Sequence, residues 1–208
     1  MEQKISDRIQ LACEKDNDPT HDFLHIKRVV SWAKKIAAAE GGNLDVVMPA
    51  AYLHDIVNVP KNDPRRSQAS RLSADFAVEF LKEIGYPSDL LPAIHHAIAA
   101  HSFSAEIKAQ SLEAKIVQDA DRLDGLGAIG IARCFATAGR LGRVFYSEND
   151  TFCAERPADD SIYTVDHFYK KLFKTAATLQ TDSGRAEGLR RVKSMQHFLE
   201  DLELEIGH

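Results

Sequence analysis

Apolar residues recur every three to four positions along almost the whole chain, while the strict alternation of a half-buried strand is missing, and this pattern predicts helices. Ile5, Ile9, Ala12 and Cys13 mark a first helix that Asn17-Asp18-Pro19-Thr20 interrupts. A second is expected from about His21 to Glu40, with Leu24, Val29, Trp32, Ala33, Ile36 and Ala37 as its inner stripe and Gly41-Gly42 as its stop. Asn43 or Asp45 can cap a third, which runs through Val46, Val47, Ala50 and Leu53 into the adjacent pair His54-Asp55, with Pro49 expected in its first turn. The stretch Asn58 to Arg66 carries too much proline and charge to continue that helix and reads as a loop.

Ser67 to Ile84 is amphipathic through Leu72, Phe76, Val78, Phe80 and Leu81, and Gly85-Tyr86-Pro87 stops it. Ser88 is expected to cap a helix carrying His95, His96 and His101. A single helical stretch then runs from about Leu112 to Ala138, with Asp119, Asp121 and Asp124 followed by Gly125, Gly127 and Gly130. Gly139 to Ile162 shows no period and is expected to be a mobile loop. Two helices, about Thr164 to Leu179 and Ser183 to Ile206, close the chain with Phe168, Leu172, Phe173, Val192, Met195, Phe198 and Leu199 inward. No repeat of 20 to 50 residues is visible, and the fold class is all-α.

At 208 residues the chain is long enough to bury a substantial core. A net charge of -5 argues against binding a nucleic-acid polymer, whose phosphates need a basic surface, but leaves room for a small anionic substrate held by local cations. Cys13, Cys134 and Cys153 have neither the even number of a disulfide framework nor CxxC spacing. No apolar leader and no uncharged run long enough to span a bilayer are present, so a cytoplasmic location is expected, with no membrane partner.

Histidine is unevenly placed: His21, His25, His54, His95, His96 and His101 all fall in the first half. His54 and Asp55 would point about 100° apart on a helix, so both reach one ion only from a helix end, which Asn58 and Pro60 supply. A second histidine and a second carboxylate are needed to complete a ligand set. His25, the pair His54-Asp55 and the distant Asp121 within Asp119-Ala120-Asp121-Arg122-Leu123-Asp124 resemble the H…HD…D signature of the HD-domain metal-dependent phosphohydrolases. Gly127 to Arg133 and the C-terminal helices are similar to a small bacterial branch of that superfamily, which includes deoxynucleoside triphosphate pyrophosphohydrolases.

The resemblance implies an HD-type helical bundle with additional C-terminal helices, one domain over residues 1–208 with a core at about 20–138. It implies one divalent cation held by His25, His54, Asp55 and Asp121, and a mixed imidazole and carboxylate set suits Mn, Co, Ni, Fe or Zn, with Mg also possible. It further implies water activated by that ion for attack on phosphorus, with His54, Asp55 and Asn58 at the reacting centre. Arg28, Lys61, His101, Arg133 and Arg140 are the candidate substrate contacts, with Arg65 as a further cation. The position three after Asp55 is often acidic in that branch, whereas Asn58 can orient a water but cannot take its proton, which leaves Asp55 or Asp22 as a base. His96 and His101 raise the alternative of a second metal, although their five-residue spacing fits one helical face poorly.

Two strings are set aside. His21-Asp22-Phe23-Leu24-His25 has the histidine spacing of zinc-protease helices but Asp where they carry Glu, and no third-ligand motif follows. Gly125-Leu126-Gly127-Ala128-Ile129-Gly130 matches GxGxxG without a preceding strand, and helix packing explains it better. The expected activity is therefore hydrolysis of a small phosphorylated metabolite, most simply a nucleoside triphosphate to monophosphate and pyrophosphate. A nucleotide phosphomonoesterase or phosphodiesterase of the same fold is the alternative, and a non-catalytic nucleotide-sensing HD domain, which Asn58 keeps open, is a second; homo-oligomers are possible.

Overall fold

A computed structural model describes residues 1–14, 22–59 and 63–207. The expected break at residues 17–20, His21, Pro60 and Lys61 lie outside the described residues. Among those described, the regular structure is helical, with a single isolated bridge between Val144 and Tyr163. The chain forms two compact units: Met1–Asp121 with Gln180–Gly184, and Arg122–Leu179 with Arg185–His208.

The first unit holds α1 (Glu2–Cys13), α2 (Phe23–Glu40), α3 (Leu44–Leu53), α4 (Ala69–Glu83) and α5 (Leu91–Ala99), and α6 (Leu112–Asp124) enters it. α3 packs on α1, α2 and α5, and α4 packs on α5. Val29, Ala33, Val47, Ala50, Leu53, Ile94, Ile98 and Ile116 are buried between these helices.

Local signals set the ends. Asp22 caps α2, its Oδ1 accepting from the His25 N–H at 2.8 Å, which commits the Asp22 carboxylate to the helix start. Gly41, at φ +79°, closes α2 in the left-handed region that glycine occupies without a Cβ clash. Ile26 and Val30 complete its inner face, whereas Leu24, expected inward, is 58% exposed. Asn43 caps α3, accepting from the Asp45 N–H at 2.9 Å.

Pro49 sits in the interior of α3 rather than its first turn. A residue there would normally donate its N–H to the Asp45 carbonyl, and proline has none. The Tyr86 hydroxyl donates to that same carbonyl at 2.7 Å, replacing the missing bond from the loop after α4. α4 turns Ser70, Ser73, Ala74, Ala77 and Leu81 inward, so its large apolar residues Leu72, Phe76, Val78 and Phe80 flank the buried stripe instead of forming it. α5 starts at Leu91, later than a Ser88 cap would place it, and ends before His101.

In the second unit the single helical stretch expected over 112–138 is broken: α6 stops at Asp124 and α7 spans Gly127–Arg140. Gly127 turns the chain at φ +70°, and a Cβ on Gly130 would strike the Gly125 carbonyl, so the glycine string serves a tight helix start. The irregular segment that follows is tied down rather than free. Asp150 accepts the N–H groups of Ala154, Glu155 and Arg156, and the buried Asp166 holds the Arg156 guanidinium at 2.8 Å. A π-helical turn (Phe168–Leu172), α8 (Phe173–Ala176) and α9 (Asp182–Ile206) complete the chain. Phe168, Leu172, Met195 and Leu199 are buried as the periodicity requires, and the Phe168 and Phe198 rings stack at 6.0 Å between centroids.

Candidate metal centre

α3 ends at Leu53, so His54 and Asp55 leave it at the turn where adjacent side chains can converge. His54 is fully buried, and its Nδ1 donates to the Ala51 carbonyl at 2.9 Å. That bond fixes the tautomer and leaves Nε2 as a lone-pair donor, the arrangement found behind metal-bound histidines. Among the described residues, His54 Nε2 is buried with no hydrogen-bond partner. A buried nitrogen in that state costs free energy unless a cation takes its lone pair.

The surrounding groups fit such a cation. His25, buried on the first turns of α2, places Nε2 at 3.6 Å from Asp121 Oδ1 and 4.0 Å from Asp55 Oδ2. His54 Nε2 lies 3.6 Å from Asp55 Oδ2 and 3.7 Å from Asp121 Oδ1. These separations exceed a hydrogen bond. They match the roughly 3.0 to 4.2 Å between atoms that each sit about 2.1 Å from a shared ion. Two groups of donors form, His25 with His54 and Asp121, and His54 with Asp55 and His101. They share His54, Asp55 Oδ2 lies within 4.0 Å of both His25 and His54, and the imidazole and carboxylate donors suit a first-row divalent cation.

The electrostatics agree. Burial opposes a charged His54, but the carboxylates of Asp55 and Asp121 outweigh it and lift the imidazole to about 9 when no metal competes. Burial would raise Asp121, yet His54, His101 and His25 hold it well below the usual carboxylate range. The site therefore attracts positive charge strongly.

His101 joins from the turn after α5. Its Nδ1 donates to the Ile98 carbonyl at 2.7 Å, and its Nε2 lies 3.4 Å from Asp55 Oδ1. Asp55, 34% exposed, thus presents one oxygen to His25 and His54 and the other to His101. The other histidines of that region are engaged elsewhere: His96 Nε2 accepts from the Gln110 N–H at 3.1 Å, and His95 pairs with Asp75 at 3.0 Å. The alternative second-metal pair of His96 and His101 is therefore not assembled, although His54, Asp55 and His101 themselves converge.

The remaining sequence-predicted residues are more scattered. Asn58 is exposed and lines, with Asp55, Arg66, Ile9 and Cys13, a small cleft open to solvent. Arg28 is half-buried one turn past His25 on α2, and Arg65 is paired with Asp63 at 2.9 Å. Arg133 and Arg140 belong to the second unit, where Arg133 donates to the Asp124 carboxylate at 2.7 Å and Arg140 is exposed at the end of α7. Lys61 lies outside the described residues. Sequence spacing gave no sign that His101 faces Asp55, because a helical period groups it with residues of α5 that the chain leaves before reaching it.

The family model for the HD domain matches residues 22–126, which contain His25, His54, Asp55, His101 and Asp121. The chain is 33% identical over 195 residues to the uncharacterized protein YpgQ of Bacillus subtilis (strain 168), covering 92% of this chain and 87% of that protein. The crystal structure of Bacillus subtilis YpgQ in complex with ADP superposes with a TM-score of 0.77 at 30% identity, covering 99% of this chain and 95% of that one. An HD-superfamily hydrolase from Bacillus thuringiensis superposes with a TM-score of 0.78 at 31% identity, covering 100% and 97%. With that match falling on the stretch where the histidines and aspartates converge, the chain belongs to the HD-domain family, among the HD-superfamily hydrolases.

Proposed function

We propose that this protein is a metal-dependent nucleotide phosphohydrolase, acting through residues 1–208 as one functional domain, and that it cleaves a nucleoside triphosphate to the monophosphate and pyrophosphate. The observation that carries the reading is the convergence of His25, His54 and Asp121, with Asp55 Oδ2 within 4.0 Å of both imidazoles and His54 Nε2 buried and lacking a hydrogen-bond partner. The nucleotide class is supported by a relative of similar length crystallised with ADP.

His25, His54, Asp55 and Asp121 would hold the ion, which when bound supplies a Lewis acid for phosphoryl oxygens and lowers the pKa of water. The chain's own groups divide the remaining work. The Ala51 carbonyl keeps a proton on His54 Nδ1, so that Nε2 stays available as a ligand. The exposed Asn58 amide orients water but accepts no proton. His101 Nε2, beside Asp55 Oδ1, is the group placed to receive it. Asp22, considered as a base from the sequence, caps α2 instead.

The test is a nucleotide panel with Mn²⁺, Co²⁺, Ni²⁺, Zn²⁺ or Mg²⁺ and separate assays of pyrophosphate and orthophosphate. Pyrophosphate with a monophosphate is expected. Orthophosphate alone would point to a phosphomonoesterase. Nucleotide-induced thermal stabilisation without turnover would point to a sensing domain, because a ligand that binds only the folded state stabilises it by mass action.

A further inference from the structure

α6 carries a second, wholly buried carboxylate two residues before Asp121, and the proposed chemistry gives it no task. Asp119 is inaccessible to solvent and accepts from three groups on a segment some sixty residues away in the chain. The Gln180 N–H donates to it at 2.9 Å, and the Thr181 N–H and Thr181 hydroxyl each donate to its Oδ2 at 2.7 Å. Thr181 Oγ1 in turn accepts from the Gly184 N–H at 3.1 Å, capping the start of α9. A Cβ on Gly184 would lie 2.6 Å from Asp119 Oδ2, so this approach requires glycine.

The preceding residue adds a second tether. The Gln118 amide donates to the Ala100 carbonyl at 2.7 Å, one residue before His101, while its oxygen accepts from the Gln180 side chain. Residues separated by two positions on a helix point about 200° apart, so Asp119 grips the side of α6 roughly opposite Asp121. A roll of about 10° would carry a carboxylate oxygen, about 6 Å from the helix axis, through about 1 Å. Reactive constellations tolerate about half of that.

We propose that Asp119 is a positioning residue, which through its bonds to Gln180 and Thr181 locks the roll of α6 and thereby holds the Asp121 carboxylate where a divalent cation needs it. The inference rests on the metal-centre reading, and its test separates the two. Mn²⁺ affinity is measured by calorimetry on the intact protein, well below the unfolding temperature, for wild type, Thr181→Val, Thr181→Ser and Asp119→Asn. Asp166→Asn, which disturbs a buried hydrogen-bonded carboxylate of the second unit, serves as a control for general destabilisation away from the candidate metal centre.

Thr181→Val removes the hydroxyl bond and keeps the shape, and it is expected to weaken Mn²⁺ binding about tenfold, in line with the effect of residues that orient ligands from behind. Thr181→Ser restores the hydroxyl and should restore the affinity, and Asp119→Asn, if it folds, should weaken binding at least as much as Thr181→Val. Wild-type affinity in Thr181→Val, or an equal loss in Asp166→Asn, overturns the positioning role while leaving the metal centre standing. Wild-type protein that takes up no Mn²⁺ overturns the metal centre itself, and this inference with it.

Discussion

His54 reaches the centre with one ring nitrogen already committed to the Ala51 carbonyl, so its other nitrogen either holds a proton facing the carboxylates or, in the neutral ring, offers a lone pair to a metal. His54→Ala and Asp55→Ala are accordingly expected to lower Mn²⁺ affinity by about 100-fold or more and to lose turnover with it. The surface-exposed His95→Ala, which only parts from Asp75, should keep both. Metal analysis by mass spectrometry after gel filtration would show whether the losses coincide. The proton on His54 supplies an independent check. Metal-free, that imidazole titrates at about 9 against an ordinary 6.5. A raised value means stability that is fully present below pH 6.5 and lost as the pH climbs through about 9. Metal uptake needs the neutral ring, so Mn²⁺ affinity should rise with pH up to about 9 and binding at neutral pH should release a proton. Calorimetry in two buffers of different ionisation enthalpy reads that proton directly; identical heats in both would count against it.

At the scale of elements, α3 depends on a hydroxyl from outside itself. Tyr86→Phe leaves the Asp45 carbonyl short of its donor and should cost about 1 kcal/mol in chemical denaturation. In a Pro49→Ala background the helix supplies its own N–H, and the same change should cost measurably less. How far the elements were legible follows from what each rests on. α2 and α3 could be read because their caps, Asn43 and Gly41, and their apolar stripes are local signals. The inner face of α4 was not, since close packing on α5 selects small residues such as Ala74 and Ala77 over the larger Phe76 and Phe80, which hydrophobicity alone favours. The break between α6 and α7 was hidden inside an unbroken helical period, with Gly127 the one residue able to announce it. His25, His54, Asp55 and Asp121 could be picked out because a motif spans them. The bonds of Asp119 to Thr181 could not, because no spacing relates residues that meet only through the tertiary fold.

Across the whole molecule, acid and truncation probe different supports. In the second unit, burial disfavours a charged Asp166, but the Arg156 guanidinium, the Asp159 N–H and Cys153 hold it below its ordinary range. A lowered carboxylate contributes stability above its unfolded value of about 3.8 that is lost as the pH falls further. Asp166→Asn should therefore lower stability at neutral pH, and flatten the fall in melting temperature on acidification. No helix among the described residues is long and apolar enough to cross a membrane. The unit that holds the candidate metal centre is not one continuous piece of chain: it ends at Asp121 and resumes for Gln180–Gly184. In topological terms that unit is discontinuous, although the family match stops at residue 126. A fragment cut to residues 22–126 would retain the histidines and aspartates of the centre. It would lose α1 and strand the Asp119 carboxylate without Gln180 and Thr181. If Asp119 positions α6 as proposed, a graft or a gene fusion that preserves the motif but separates this five-residue return would carry the candidate ligands without their frame.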